Sequence, residues 1–303
     1  QARHRDRLVQ PLTPGVLLES LPEDGLAGVR HAIESDDEIE VEAADDDDAT
    51  SHMPDTVRRA SNAMCSLGIA AMSSLGIGAM STLGIDLGTG SVKAAVLDDA
   101  GAIIAKRGSA YRVHAPHPGW AESDPADWLA GTRAVVADVL ADTGREITAV
   151  GFSGQMHGVV VVDADLQPLR PAVLWADGRS TVEAAALQAD LGTAELSRLG
   201  SPAVTGFAAT TLAWLRTHEP EVMARAAYVL QPKDWLRAVL GGGLGTDPSD
   251  ASGTLLYDVV DGRWSTTMLE WLGLDPALLP PVLASHDRSG AVLLPGRPDP
   301  VPA

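Results

Sequence analysis

The stretch "STLGIDLGTGSVKAAVLDDAGAIIAKRGSAYRV", Ser81 to Val113, decides the fold. Its apolar runs Leu83–Leu87, Val92–Leu97 and Ala102–Ala105 are separated by "GTGS" and by "DDAG", the second a strong turn signal, and they predict a three-strand antiparallel meander. Asp86 interrupts the first run. A carboxylate inside an apolar strand is costly unless a metal ion or a hydrogen-bond donor meets it. Beside it Gly88, Thr89, Gly90 and Ser91 form a glycine-rich hairpin whose backbone N–H groups can approach phosphate oxygens, and Lys93 adds positive charge. On this motif alone two readings stand: a phosphate cradle with a metal-organising aspartate, or an ordinary hairpin with a solvated one.

Downstream, "HPGWAESDPADWLAGTRAVVADVLADTG" places Asp124 as a helix N-cap before Pro125. Trp128, Leu129, Val135, Val136, Val139 and Leu140 then recur at helical spacing, and Gly144 ends the helix. Strands are expected at Ile147–Phe152 and Val159–Val162, flanking the loop Ser153-Gly154-Gln155-Met156-His157-Gly158, and a third at Ala172–Trp175 runs into Asp177, Gly178 and Arg179. Polar groups thus gather at two strand ends, where α/β folds place ligands. A single loop histidine is ordinarily solvated or locally bonded, but here a glutamine and two glycines accompany it. Beyond, helices are expected at Thr211–His218 and Lys233–Leu240, around an extended Tyr228–Leu230. Lys233-Asp234 reads as a structural cap pair. Asp247 and Asp250 read as a structural or substrate-edge loop, since the regular ligand alternation of a calcium loop is missing. His286 and Asp287 have no identifiable partner.

Upstream, the phrase Leu-Gly-Ile of residues 83–85 is written twice more, after Met64 and after Met72. An eight-residue period is too short for stacking repeats, so this reads as a start site written three times, with the folded protein expected to begin at Met80. Residues 1–80 carry 15 acidic and 6 basic side chains, and Glu34–Asp48 is a like-charge block. Residues 1–79 are therefore expected to be a disordered acidic extension. The whole chain has 303 residues, 45% of them hydrophobic, which is ample for a core. The net charge of −19 argues against nucleic-acid or anionic-membrane partners and leaves small-molecule chemistry. Cys65 is the single cysteine, which excludes an intramolecular disulfide framework and points to a reducing, cytoplasmic setting.

Taken in order, "GIDLGTGSVKAAVLD", "HPGWAESDPADW", "GFSGQMHGVVVVD", "RPAVLWADGRS", "THEPEVM", "LQPKDWLR" and "TDPSDASGTLLYDV" resemble the N-terminal half of the FGGY carbohydrate kinases, and of their xylulokinase-like members in particular. Glycerol kinases carry an Arg-Glu pair after the glutamine where this chain has Met156-His157. The resemblance covers about Ser81 to the C-terminus, and residues 80–303 are expected to form that half. It implies an α/β domain of the ribonuclease-H-like, actin-like ATPase type, with a mixed sheet and flanking helices. It also implies ATP and Mg²⁺ as cofactors and a ketose such as D-xylulose as the small-molecule substrate. By the same resemblance Asp86 orders Mg²⁺ through water, and Gly88, Thr89, Gly90, Ser91 and Lys93 face the phosphates. Gln155 belongs to the sugar loop, where Met156 and His157 contact the sugar. Trp175 is a wall or a plain core residue, and Arg179 supports the site from behind.

The chain departs from the family at its end. The family continues into a nucleotide-binding domain, and a Gly-rich segment ending in Asp-Asn supplies the carboxylate that takes the acceptor proton. No such segment follows Gly290. The expectation is a truncated kinase, inactive alone or completed by a separate chain carrying the C-terminal domain. The alternatives are another FGGY kinase, for ribulose or gluconate, a noncatalytic sugar-binding half-domain, or a pseudogene product.

Overall fold

The computed structural model describes residues 81–303. The expectations for the acidic extension, the repeated Leu-Gly-Ile units and the start at Met80 fall outside those residues. Strands β1 (Ser81–Leu87), β2 (Ser91–Leu97) and β3 (Ile103–Ala110) form the expected meander, antiparallel throughout, with Asp86 opposite Lys93 and Leu87 opposite Val92. The third strand continues past Ala105, where its apolar run stops. It lies at the sheet edge and is mostly exposed, so pairing with β2 rather than burial holds Lys106 to Ala110.

A two-residue β4 (Glu122–Ser123) leads into α1 (Pro125–Thr143). The Asp124 carboxylate caps the helix by accepting the Ala126 N–H, and Gly144, in the left-handed region at φ 57°, ends it. Helix α1 crosses over to β5 (Ile147–Gly154), which pairs parallel to β1. A parallel pair requires such a crossover, and the sheet order becomes β3-β2-β1-β5. Trp128, Val135, Val136 and Val139 of α1 share one hydrophobic cluster with Leu83, Ile85 and Leu87 of β1, and with Val92, Ala94 and Val96 of β2. Every residue of β1 is buried, as expected of a central strand covered on both faces.

The chain then runs through β6 (Val160–Val162), β7 (Ala172–Val173), α2 (Thr181–Leu199), α3 (Ala208–His218), α4 (Pro220–Arg225), β8 (Tyr228–Leu230), α5 (Pro232–Val239), α6 (Pro248–Ser252) and, after a two-strand ribbon, α7 (Thr266–Leu272). Helix α2 bends at Gly192. Strands β6 and β8 pair antiparallel, Val160 with Leu230 and Val161 with Val229. Val160, Val162 and Leu230 join the cluster under α1, whereas Val159, Val161 and Val229 join a second cluster with Leu187, Leu212, Leu255 and Met268. The strand period of two thus drives alternate side chains into two different cores. Among the described residues no helix is long and apolar enough to cross a membrane.

Candidate functional site

Because β1 and β5 are parallel neighbours, their C-terminal ends emerge side by side. Asp86 pairs with Ser153 and Leu87 with Gly154, and the Gln155 N–H donates to Leu87 O at 2.8 Å. The glycine hairpin after β1 and the Gln-Met-His loop after β5 are brought together by this register. That is the sheet end at which open α/β folds bind ligands.

Asp86 is 6% exposed, and its Oδ1 has no hydrogen-bond partner among the described residues. A buried carboxylate oxygen without a donor costs free energy, so its natural complement comes from outside the protein. Hydrated Mg²⁺ fits that complement, being a hard cation that keeps several waters and uses one or two carboxylates. Gly88 N–H donates to Ser91 O at 2.9 Å and so shapes the hairpin. Gly90 stands exposed at the tip, and Lys93 points to solvent from β2. The Tyr111 hydroxyl donates to Gly88 O from the far side. Burial, and then the charge of Asp86, push the Tyr111 pKa up, so it remains a neutral donor.

Across from the hairpin, Gln155 is buried and its Nε2 lies 3.4 Å from Gly88 O, while its Oε1 is unpartnered. His157 holds a left-handed backbone at φ 68°, which is uncommon for a residue with a Cβ. Two contacts keep it there. Its N–H donates to Gln231 Oε1 at 3.0 Å, and its ring Nδ1 bonds to the Gly253 carbonyl. Since a carbonyl only accepts, Nδ1 carries the proton. The ring also packs on Phe207, with centroids 4.3 Å apart. Burial lowers the His157 pKa, the bond to Gly253 opposing it in part, so the neutral imidazole is favoured. A Cβ at Gly253 would come within 2.9 Å of both the His157 ring and the Met156 methyl, so the glycine is what lets both side chains lie against this backbone.

Strand β7 ends at Val173, short of the expected Trp175, because Trp175 turns away to donate its indole N–H to Thr89 Oγ1 at 3.0 Å. Trp175 is half-buried and ties the hairpin to the opposite wall. Arg179 is held by Asp177 through Nε and Nη2, both at 2.8 Å, and by Glu122 at 2.6 Å. Its guanidinium lies 3.6 Å above the Trp120 ring centroid. Asp177 also accepts the Ala121 N–H at 2.6 Å, so this arginine fastens the "LWADGRS" turn to the segment before α1.

The structure corrects the reading of Lys233-Asp234 as a cap pair. The N-cap of α5 is Gln231, without a side-chain cap bond. Lys233 is buried instead, with its Nζ 2.8 Å from Asp234, 2.8 Å from Asp250 and 3.1 Å from Asp247. Asp247 caps α6 by accepting the Asp250 N–H. His286 and Asp287 stand exposed, 3.9 Å apart. Sequence reasoning missed Tyr111, Gln231 and Gly253 as parts of the site. Each reaches it from a distant segment, 74 residues away for Gln231 and 96 for Gly253, with no local motif to mark it.

Residues 81–295 match the model of the FGGY family of carbohydrate kinases, N-terminal domain. The chain is 37% identical over 208 residues to a xylulose kinase from Staphylococcus xylosus, which covers 68% of this chain and 43% of that protein. It is 38% identical over 210 residues to the xylulose kinase of Escherichia coli strain K12, covering 69% and 43%. Among solved structures, a xyloylose kinase from Brucella ovis superposes with a TM-score of 0.70 at 36% identity, over 73% of this chain and 47% of that one. The chain therefore spans less than half the length of the relatives it matches. These likenesses bear out the actin-like ATPase fold.

Proposed function

The chain belongs to the FGGY family of carbohydrate kinases, and from that premise we propose that it forms the sugar-binding and phosphate-facing half of a xylulokinase-like enzyme, which transfers the ATP γ-phosphate to a ketose such as D-xylulose. The observation that carries this reading is the register of β1 against β5, which sets the Asp86 hairpin beside the Gln155–His157 loop. A sugar hydroxyl held by the second is then within reach of phosphates held by the first, and phosphoryl transfer is mostly a matter of such positioning.

In this reading Asp86 would hold Mg²⁺ through water, and the backbone from Gly88 to Ser91, with Lys93, would receive the phosphate oxygens. Bound there, the cation would supply neutralisation of the phosphate charge. Met156 and His157 meet the sugar, Gln155 links their loop to the hairpin, and Trp175 offers an aromatic face to C–H groups. Arg179 acts from behind by fixing the Trp175 turn. The carboxylate that accepts the hydroxyl proton belongs to a Gly-rich Asp-Asn segment of the family that follows these residues, so turnover needs that segment in the same polypeptide or in another. The matched xylulose kinases, together with Met156-His157 after Gln155 where glycerol kinases carry Arg-Glu, support D-xylulose over glycerol. Ribulose and gluconate are the competing ligands.

Titration calorimetry of the 303-residue chain with D-xylulose, ribulose, gluconate and glycerol tests this. Binding of D-xylulose above the others, lost in His157→Ala and retained in Lys106→Ala, is the expected result. Equal binding of all four, or binding indifferent to His157, would sink the assignment.

A further inference from the structure

The buried charges around Lys233 adjoin the segment that holds His157. Lys233 sits at the start of α5, directly under the end of β5: a Cβ on Gly154 would come within 3.1 Å of the Lys233 Cβ. Its ammonium gathers Asp234 from its own helix and Asp247 and Asp250 from the start of α6. Arg237 approaches Asp234 at 3.4 Å and donates to Gly245 O, the only other cation of this cluster among the described residues. Burial draws the lysine pKa down, but the three carboxylates outweigh it and the net direction is up, so the ammonium stays charged. Three carboxylates share two cations here, and burial pushes the Asp250 pKa up despite the lysine beside it.

What the cluster fixes is a short chain of bonds. Asp250 O accepts Gln231 Nε2 at 2.6 Å, and Gln231 Oε1 accepts the His157 N–H at 3.0 Å. Gly253 N–H donates to Asp250 O at 3.1 Å, and Gly253 O receives the His157 Nδ1–H. Both bonds that keep His157 in its left-handed backbone therefore originate in residues 231–253, and Lys233 is the ion that closes α6 onto α5. No described residue bonds His157 Nε2.

We propose that Lys233 is a positioning residue for His157: by closing the Asp247–Gly253 segment onto α5 it fixes the imidazole as the Nδ1–H tautomer and leaves Nε2 as a hydrogen-bond acceptor. With the sugar-kinase reading added, on which only this last step rests, the site takes a ligand that presents a hydroxyl donor to Nε2. A ligand whose carboxylate occupied that position would set acceptor against acceptor and be disfavoured.

Long-range ¹H–¹⁵N correlation spectra of the histidine rings test the proposal on the full chain, with His157→Gln providing the assignment. The parent should show His157 as a neutral Nδ1–H ring near neutral pH. In Lys233→Met the signal should move toward an average of both tautomers, and Lys233→Arg should restore most of the parent pattern. Asp247→Asn keeps the α6 cap but removes one ion pair, so it should give an intermediate shift. An Nε2–H ring in the parent overturns the proposal, as does a parent-like ring in both Lys233→Met and Asp247→Asn. If Lys233→Met does not fold, Asp247→Asn decides alone by the same criterion. Addition of D-xylulose reports separately on the sugar reading: a parent Nδ1–H ring that does not respond to the sugar retains the positioning role and removes only the ligand.

Discussion

Gly206 carries a prediction that separates backbone strain from steric exclusion. It sits at φ 82°, and a Cβ built on it would lie 1.9 Å from the Trp175 carbonyl oxygen and 2.8 Å from the Trp175 carbonyl carbon. An alanine there suffers the left-handed penalty, about 1–2 kcal/mol for an L-residue. It must also drive a backbone oxygen away by more than about 1 Å, a displacement in the class of overpacking that costs roughly 1–3 kcal/mol. Gly206→Ala should therefore destabilise by about 2–5 kcal/mol, a large part of the roughly 5–15 kcal/mol typical of a domain. Gly119 is the control: its φ is 79°, but nothing lies within 4 Å of its built Cβ, so Gly119→Ala should cost the strain alone, about 1–2 kcal/mol. Urea unfolding followed by tryptophan fluorescence measures both. Equal losses in the two variants would refute the argument that the Trp175 carbonyl excludes a side chain at Gly206. The Gly206 variant should also loosen the Trp175 to Thr89 bond and weaken ligand binding in the fraction that stays folded.

Asp86→Asn should leave the thermal midpoint unchanged or raise it, because it removes a buried charge whose Oδ1 has no partner, while abolishing any Mg²⁺-dependent binding of ATP; a clear fall in the midpoint would place the carboxylate in the fold rather than the site. Asp124→Ala removes the α1 cap and should cost about 1 kcal/mol by the same urea measurement. His157 has its pKa lowered by folding, so its contribution is complete above the unfolded value of about 6.5 and is lost as pH falls from there toward the folded value. Thermal midpoints of the parent should accordingly drop across that window more than those of His157→Gln. Trp128→Ala should cost roughly 3–5 kcal/mol, since the ring is fully buried and meets both Tyr111 and Trp235.

How far the sequence reaches depends on how local each signal is. The meander, α1 with its cap at Asp124 and stop at Gly144, and the loop after β5 are written in consecutive residues, and their boundaries stand within a few positions except at the end of β3, which runs to Ala110. Strand β5 runs two residues past Phe152 because β1 goes on pairing with it, which no property of Ser153 or Gly154 announces. Helix α2 has no strong apolar period and carries an interior glycine, so packing of Leu187, Leu196 and Leu199 into the second cluster is what defines it. The same holds for the site. Asp86 and the hairpin glycines are conspicuous where they stand. Gln231, Gly253 and Tyr111 acquire a role only when distant segments meet, and Lys233 looks like a helix cap until Asp247 and Asp250 arrive beside it.

The ribbon of β6 and β8 bears on how the domain comes apart. With Val160 and Val162 in one core and Val161 in the other, neither cluster can open without stripping a wall from its neighbour. The two cores are thus one cooperative unfolding unit, and the paired amides of Val160 to Val162 should be among the slowest to exchange with solvent. The loop Gln155–His157 feeds directly into that ribbon, so on the proposed reading the free energy of ligand binding would add to the free energy of opening the whole domain and be readable as slowed exchange far from the ligand itself.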